Sequence, residues 1–490
     1  MNYHASQNGE HSILLCVRVT LWYIIPMPTF DDFLKAYPAY ASTAHIDDLR
    51  RSDYARLDNS HQVYLDYTGG SLYAESQVHA HQHLLEEHVY GNPHSGNPSS
   101  RAATQLVEST RRSILAFFNA DPAEYLVIFT ANASAALKLV GESYPFDRDS
   151  HYLMTFDNHN SVNGIREFAH HHGATVTYLP VALPDLRVQE LSLVAALEQV
   201  KGAGQRLFAY PAQSNFSGVQ HPLAWIDLAH QRGWDVLLDA AAFAPTSRLD
   251  LAEYKPDFVP ISFYKIFGYP TGLGALLARR SVLAKLKRPW FAGGTITVAS
   301  VQGDKYYLAE GAAAFEDGTL DYLNIPAIEI GLRHIQSVGL DSIHARTLAL
   351  TGWLLDNLKG LRHSSGVPLV RIYGPTNVEA RGGAVTLNFF DPHGMPIDHQ
   401  YIEQAASQEN ISLRTGCFCN PGAGEIALGI SSMELAACFA QPGHTQRLSY
   451  DDFRLCIDGK ASGAVRISVG LVSNFADVQA LLAFARGLVE

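Results

Sequence analysis

The stretch SFYKIFGYPTGLGALLARR, residues 262–280, holds a single lysine, Lys265, among aromatic, aliphatic and glycine neighbours. Two readings compete for it. A surface lysine lays its stem over apolar neighbours and keeps its ammonium in water; a functional one keeps its amine neutral and sheltered in order to bond covalently to a carbonyl. Asp239 ends the apolar run WDVLLD, 26 residues before Lys265. Alone it reads as the N-cap of a following helix, but a buried carboxylate otherwise requires a cationic partner, and a protonated ring nitrogen is one. Thr130 and Ala131 open the segment after VIFT, where ANASAALKLV runs small residues into a helix. Such a start presents N–H groups and a positive dipole end to a phosphate, although it also forms for packing alone. His159 follows LMTF at another strand end, where an imidazole serves structure or stacks on a flat ring. An amine, an acid, an anion-binding turn and a stacking ring are together the parts that pyridoxal 5′-phosphate requires.

The elements that must position these residues follow from the hydrophobic pattern. EYLVIFT (124–130), SHYLMTF (150–156), ATVTYLP (174–180), QRLFAYP (205–211), WDVLLDA (234–240) and PDFVPISF (256–263) read as buried strands. Amphipathic segments alternate with them, among them SVNGIREFAHHHG (161–173), LSLVAALEQVKGAG (191–204) and LAWIDLAHQRG (223–233). Strand alternating with helix predicts an α/β layer with a largely parallel sheet, whose strand ends gather ligands. Beyond about residue 330 one long helix, AIEIGLRHIQSVGLDSIHARTLALTGWLLDNLKG, leads into strands RIYG, AVTLNFF and GAVRISVG. That texture predicts a smaller α+β domain. The expected division is a large cofactor-binding domain over 62–325 and a small domain formed by 28–61 with 326–490.

A net charge of −12 with no Lys/Arg run longer than two argues against nucleic acid or an anionic membrane as partner. The apolar run ILLCVRVTLWYII (13–25) carries Arg18 and is too short to span a bilayer. It also lacks the charge and small-residue flanks of a signal peptide. Residues 1–27 are therefore expected to be a non-native N-terminal extension, and the location cytoplasmic. The five cysteines, Cys16, Cys417, Cys419, Cys438 and Cys456, fit a reducing compartment better than a disulfide framework. The C-x-C spacing is a poor match to a zinc knuckle, and HHH at 170–172 reads as a helix end, so no metal site is expected.

The segments YLDYTGGSLY, VYGNPHS, SFYKIFGYPTGLGALL, AFEDGT, LRTGCFCNPGA and DGKASGAVRISVG resemble the class V aminotransferase fold of pyridoxal-phosphate enzymes. Within it they are most similar to the cysteine desulfurase-like domain of molybdenum cofactor sulfurases, over about 62–485. The resemblance implies fold type I, with a large, mainly parallel seven-stranded α/β domain and a smaller α+β domain, and a homodimer. It also implies Lys265 as the Schiff-base lysine, Asp239 as partner of the ring nitrogen and His159 as a catalytic residue near the ring. Thr130, Ala131 and Ser262 would stand near the phosphate, Asn215 near the ring hydroxyl, and Thr319 would reach the neighbouring subunit's phosphate. Arg466 would grip the substrate α-carboxylate, with Arg414 as a second contact.

Cys419, in the loop 414–424, falls where desulfurases carry the sulfur-accepting cysteine; Cys417 is a second thiol two residues away. The activity implied is mobilisation of sulfur from L-cysteine as a Cys419 persulfide, with release of alanine. Another amino-acid reaction on the same scaffold (transamination, β-elimination or decarboxylative C–C bond formation) would use Lys265, Asp239 and Arg466 equally, and an idle scaffold binding a sulfur-relay partner is a third reading. Two positions depart from many desulfurases, Tyr264 in place of His and Ala242 in place of Gln, and both changes look like the sulfurase branch. The chain stops at Glu490, where those sulfurases continue into a molybdopterin-binding domain, so the sulfur acceptor is left open.

Overall fold

A computed structural model describes residues 27–489 except 94, 201, 442–446, 449–451, 454, 455 and 457–460. Of the expected extension over 1–27, residues 1–26, with Cys16, lie outside the described residues. Seven strands form the central sheet: β1 (Tyr125–Thr130), β2 (His151–Thr155), β3 (Thr175–Leu179), β4 (Arg206–Pro211), β5 (Asp235–Asp239), β6 (Phe258–Ser262) and β7 (Gly274–Arg279). Their order is β1-β7-β6-β5-β4-β2-β3. Only β7 runs against the others, antiparallel to both β1 and β6; β3-β2-β4-β5-β6 pair in parallel.

Both faces of this sheet are covered, so its inner strands are largely apolar rather than alternating with polar residues, while the edge strand β3 reads TVTYL and is only partly buried. The pleat instead sorts successive side chains between two cores. Val127, Phe129, Phe208, Tyr210, Val236, Leu238, Val259 and Ile261 pack on one side. Ile128, Leu207, Ala209, Leu237 and Phe258 pack on the other. Pro260, inside β6, lacks a ladder donor, and the pairing of β6 with β5 is limited to Phe258 opposite Leu237.

The second, four-stranded sheet is antiparallel and has the order β8-β9-β11-β10, with β8 Val370–Tyr373, β9 Ala384–Phe389, β10 Arg414–Gly416 and β11 Ala464–Ser468. A third core joins it to helices, with Leu350, Leu354, Val385, Ile467, Val478 and Leu481 buried together.

Three expectations need correction. The long helix after residue 326 is two helices, Ile325–Val338 and Leu340–Lys359, because Gly339 has φ +88° and breaks the ladder between them. The segment 161–173 likewise divides at Gly164, into Asn160–Asn163 and Ile165–His171. Cys438 and Cys456 form a disulfide, contrary to the reading of all cysteines as reduced, while Cys417 and Cys419 are free and exposed. The segment 28–61 serves both bodies: Phe33 and Tyr40 enter the core of the second sheet, whereas Ile46, Tyr54 and Leu57 join a core of the first. Among the described residues no helix is long and apolar enough to cross a membrane, and no group of three His, Cys, Asp or Glu residues is arranged to hold a metal ion.

Candidate active site

A cavity of about 380 Å³ opens at the carboxyl ends of the central strands. Lys265, Asp239, His159, Asn215 and Ser262 all line it, together with Gln213, Tyr264 and the start of a helix. Asp239 is the last residue of β5 and is 8 % exposed. Its Oδ1 accepts from the Ala241 N–H at 3.0 Å, so it partly does the work of a turn cap while facing the cavity.

Lys265 lies one turn beyond β6, in the short helix α1 (Phe263–Phe267). That helix must stop at once. Gly268 has φ +80°, and a Cβ there would stand 2.4 Å from the Leu72 carbonyl carbon, so no other residue fits. Burial pushes the Lys265 ammonium below its usual range; Asp239 nearby opposes the shift and Arg466 adds to it.

His159 follows β2 and caps the helix Asn160–Asn163, its Nδ1 accepting from the Ser161 N–H at 3.1 Å. In the neutral ring the proton therefore sits on Nε2. Burial lowers the His159 pKa, with Asp239 opposing and Lys265 and Arg466 reinforcing.

Across the cavity, helix α2 (Ala133–Ser143) begins with Asn132, Ala133 and Ser134 in the wall. The Asn132 side chain caps the Ala135 N–H at 2.9 Å, and the N–H groups of Ala133 and Ser134 precede the first intrahelical bond. With Ser262 and Gly272 beside them, these groups form a narrow, small-residue seat for an anion. Thr130 and Ala131 do not face this cavity. With Thr319 they line a neighbouring one of about 370 Å³, which shares only Gly272 with the first. The Thr130 hydroxyl is turned back to the Asn132 carbonyl at 2.9 Å.

Cys419 approaches from the second sheet, on the loop between β10 and helix α3 (Pro421–Leu428). Phe418 and Cys419 both hold left-handed backbone, with φ 56° and 55°. Each such non-glycine residue costs about 1–3 kcal/mol unless its surroundings fix it. Here they do. Asn215 Nδ2 donates to the Phe418 carbonyl at 2.7 Å, the Asn160 N–H to the Cys419 carbonyl at 2.7 Å, and the Asn420 N–H to the Cys417 carbonyl at 3.0 Å. Fully buried Asn420 then ties the loop to the Asp157 carbonyl and to Asn215 Oδ1, at 2.7 and 2.8 Å. Cys419 lies close enough to Lys265 for its negative form to favour the lysine's charge.

Arg466, on β11, is 3 % exposed and does not line the cavity; its guanidinium carbon is 4.8 Å from the Phe418 ring centroid. Its Nη1 donates to the Asn215 carbonyl at 3.1 Å and its Nη2 to Asp66 at 3.0 Å. Arg414 is more exposed and also pairs with Asp66. Sequence reasoning missed Asp66, Gln213 and Asn420. Asp66 stood in a quoted motif, YLDYTGG, and a carboxylate between an apolar pair and two glycines was the signal available.

The amine, the buried acid, the imidazole face and the helix start share one cavity, and this donor set fits pyridoxal 5′-phosphate. The class-V aminotransferase family matches residues 63–481, and the chain belongs to it. It is accordingly a pyridoxal-phosphate enzyme of fold type I. Its similarity is high to molybdenum cofactor sulfurases: 40 % identity to that of Bos taurus, over 90 % of this chain and 51 % of the bovine one. Identity to that of Solanum lycopersicum is 37 %, over 93 % and 59 %. The chain thus spans about half the length of these curated relatives. A solved structure with the same fold is an apo cysteine desulfurase from Thermococcus onnurineus NA1, with TM-score 0.74 and 23 % identity, covering 90 % of this chain and 97 % of that one.

Proposed function

We propose that this enzyme takes sulfur from L-cysteine onto Cys419, releasing alanine and leaving a persulfide for an acceptor. The observation that carries the reading is the strained turn that holds the Cys419 thiol exposed and within electrostatic range of Lys265. Lys265, Asp239 and Arg466 suit other amino-acid reactions equally; only a thiol held at this position favours sulfur transfer.

When bound, the cofactor supplies an electron sink that loosens the bonds about the amino acid's α and β carbons. The chain's own residues do the rest. Lys265, whose charged form burial disfavours, would hold the coenzyme covalently and carry the proton taken from the α carbon. Asp239 would balance the ring-nitrogen proton, His159 would stack on the ring, and Ala133, Ser134 and Ser262 would hold the phosphate. Arg466, with Arg414, receives the α-carboxylate. The Cys419 thiolate attacks the substrate sulfur, an S–S bond forms and the C–S bond breaks. Its electron pair stays on carbon, which takes a proton to become the methyl group of alanine. Thr319 is assigned to the phosphate of a second copy in a homodimer.

Cys419→Ser tests the reading: the protein should keep its bound cofactor and its colour but lose alanine formation from L-cysteine. Undiminished alanine formation in that variant would contradict it.

A further inference from the structure

Asp66 stands between the two arginines assigned to the substrate carboxylate. Its Oδ1 accepts from Arg466 Nη2 at 3.0 Å, while Oδ2 accepts from Arg414 Nε at 2.9 Å and from Arg414 Nη2 at 2.5 Å. Asp66 is 6 % exposed. An isolated buried guanidinium is costly, so a carboxylate here stabilises Arg466 in place.

The seat of Asp66 is fixed by the chain around it. Its carbonyl accepts from the N–H groups of Gly69 and Gly70 at 3.0 and 3.2 Å, and the Thr68 N–H donates to Ser468 Oγ at 2.9 Å. A Cβ on Gly69 would lie 2.5 Å from Asp66 Oδ2. The backbone of Gly69 is not left-handed, so the carboxylate, rather than the turn, keeps that position free of a side chain.

Asp66 is the one carboxylate bonded to both guanidinium groups, while Glu403 adds negative charge near Arg414 alone. Arg466 Nε is buried and, among the described residues, has no partner. One further carboxylate satisfies that demand, since a planar fork meets a carboxylate edge on. We infer that Asp66 is a positioning residue: it holds Arg466 for the α-carboxylate of the amino acid and, by cancelling one of two charges, restricts the site to substrates with one carboxylate. The inference rests on the carboxylate-gripping role proposed above for Arg466. It needs no sulfur chemistry.

The test is calorimetric titration of the cofactor-loaded enzyme with L-alanine and L-aspartate. Asp66→Asn, which keeps the shape and removes the charge, should bind L-alanine at least tenfold more weakly than the wild type. Its relative preference should shift toward L-aspartate, with the visible absorption of bound cofactor unchanged. A merely structural residue would lower thermal stability without changing the alanine-to-aspartate ratio. Gly69→Ala offers a second variant that keeps every charge and displaces only the carboxylate; it should weaken L-alanine binding several-fold. Wild-type alanine binding in either variant, or an unchanged ratio in Asp66→Asn, overturns the inference. Arg466→Ala separates the two levels. If it binds L-alanine as the wild type does, the role of Arg466 is wrong; if it binds weakly while Asp66→Asn does not, the assignment to Asp66 alone fails.

Discussion

Asn420→Ala should disable sulfur transfer without touching the cofactor. The Asn420 side chain is fully buried; its Nδ2 serves the Asp157 carbonyl and Asn215 Oδ1, and its Oδ1 caps helix α3 through the Ala423 N–H at 3.3 Å. Truncation strips the buried Asp157 carbonyl and the half-buried Asn215 Oδ1 of a donor, at about 1 kcal/mol each, and removes a cap worth about 1 kcal/mol. The sum is about 3 kcal/mol. That loss falls on a turn that already stores strain, since Phe418 and Cys419 are both left-handed. At about 1.4 kcal/mol per tenfold change, 3 kcal/mol is enough to make the productive turn a minor state. Single-turnover reaction with L-cysteine, read by mass analysis of the peptide containing Cys417 and Cys419, should show persulfide forming at least tenfold more slowly. The cofactor's visible band should be unaltered and the melting temperature lower. Adding Phe418→Gly, which removes part of the strain, should restore some of the rate. Wild-type persulfide formation in Asn420→Ala would refute the reasoning.

Lys265→Ala should abolish the yellow absorption of the reconstituted protein, and a wild type that stays colourless with pyridoxal 5′-phosphate would contradict the site. His159 is held below its usual pKa by burial. The unfolded chain therefore binds a proton below about pH 6.5 that the native ring refuses, and stability should fall as pH drops from that value toward the folded pKa. His159→Gln should narrow the gap in melting temperature between about pH 7.5 and pH 5.5 for the cofactor-free protein; an unchanged gap would remove this residue from the account.

Much of the large domain was legible because its strands are buried on both faces and interrupted by polar, glycine-bearing turns. WDVLLDA and QRLFAYP were placed within a residue of β5 and β4. Strand β7 went unread, since GALLAR lies within the same apolar, glycine-rich stretch as Lys265 and its antiparallel course has no local signal. The expected long helix hid a break at Gly339, because the hydrophobic period continues across it while the left-handed backbone does not. In the site, Lys265, Asp239 and His159 were readable from strand ends, and the cavity holds all three. The helix start was read two residues early: Thr130 ends β1, Ala131 follows it, and the cavity wall is made by Asn132, Ala133 and Ser134. Asp66 stood in the motif YLDYTGG, but its pairing was unreadable because its partners, Arg414 and Arg466, lie some 350 and 400 residues away along the chain, and charge pairing across such distances leaves no local pattern.

The most direct measurement is to incubate the cofactor-loaded protein with L-cysteine and follow both products of one turnover. The account predicts one alanine per active site, with a single additional sulfur atom on the peptide containing Cys417 and Cys419, carried by Cys419 and absent in Cys419→Ser. Alanine formed with no sulfur retained on that peptide, or sulfide and pyruvate in place of alanine, would contradict it.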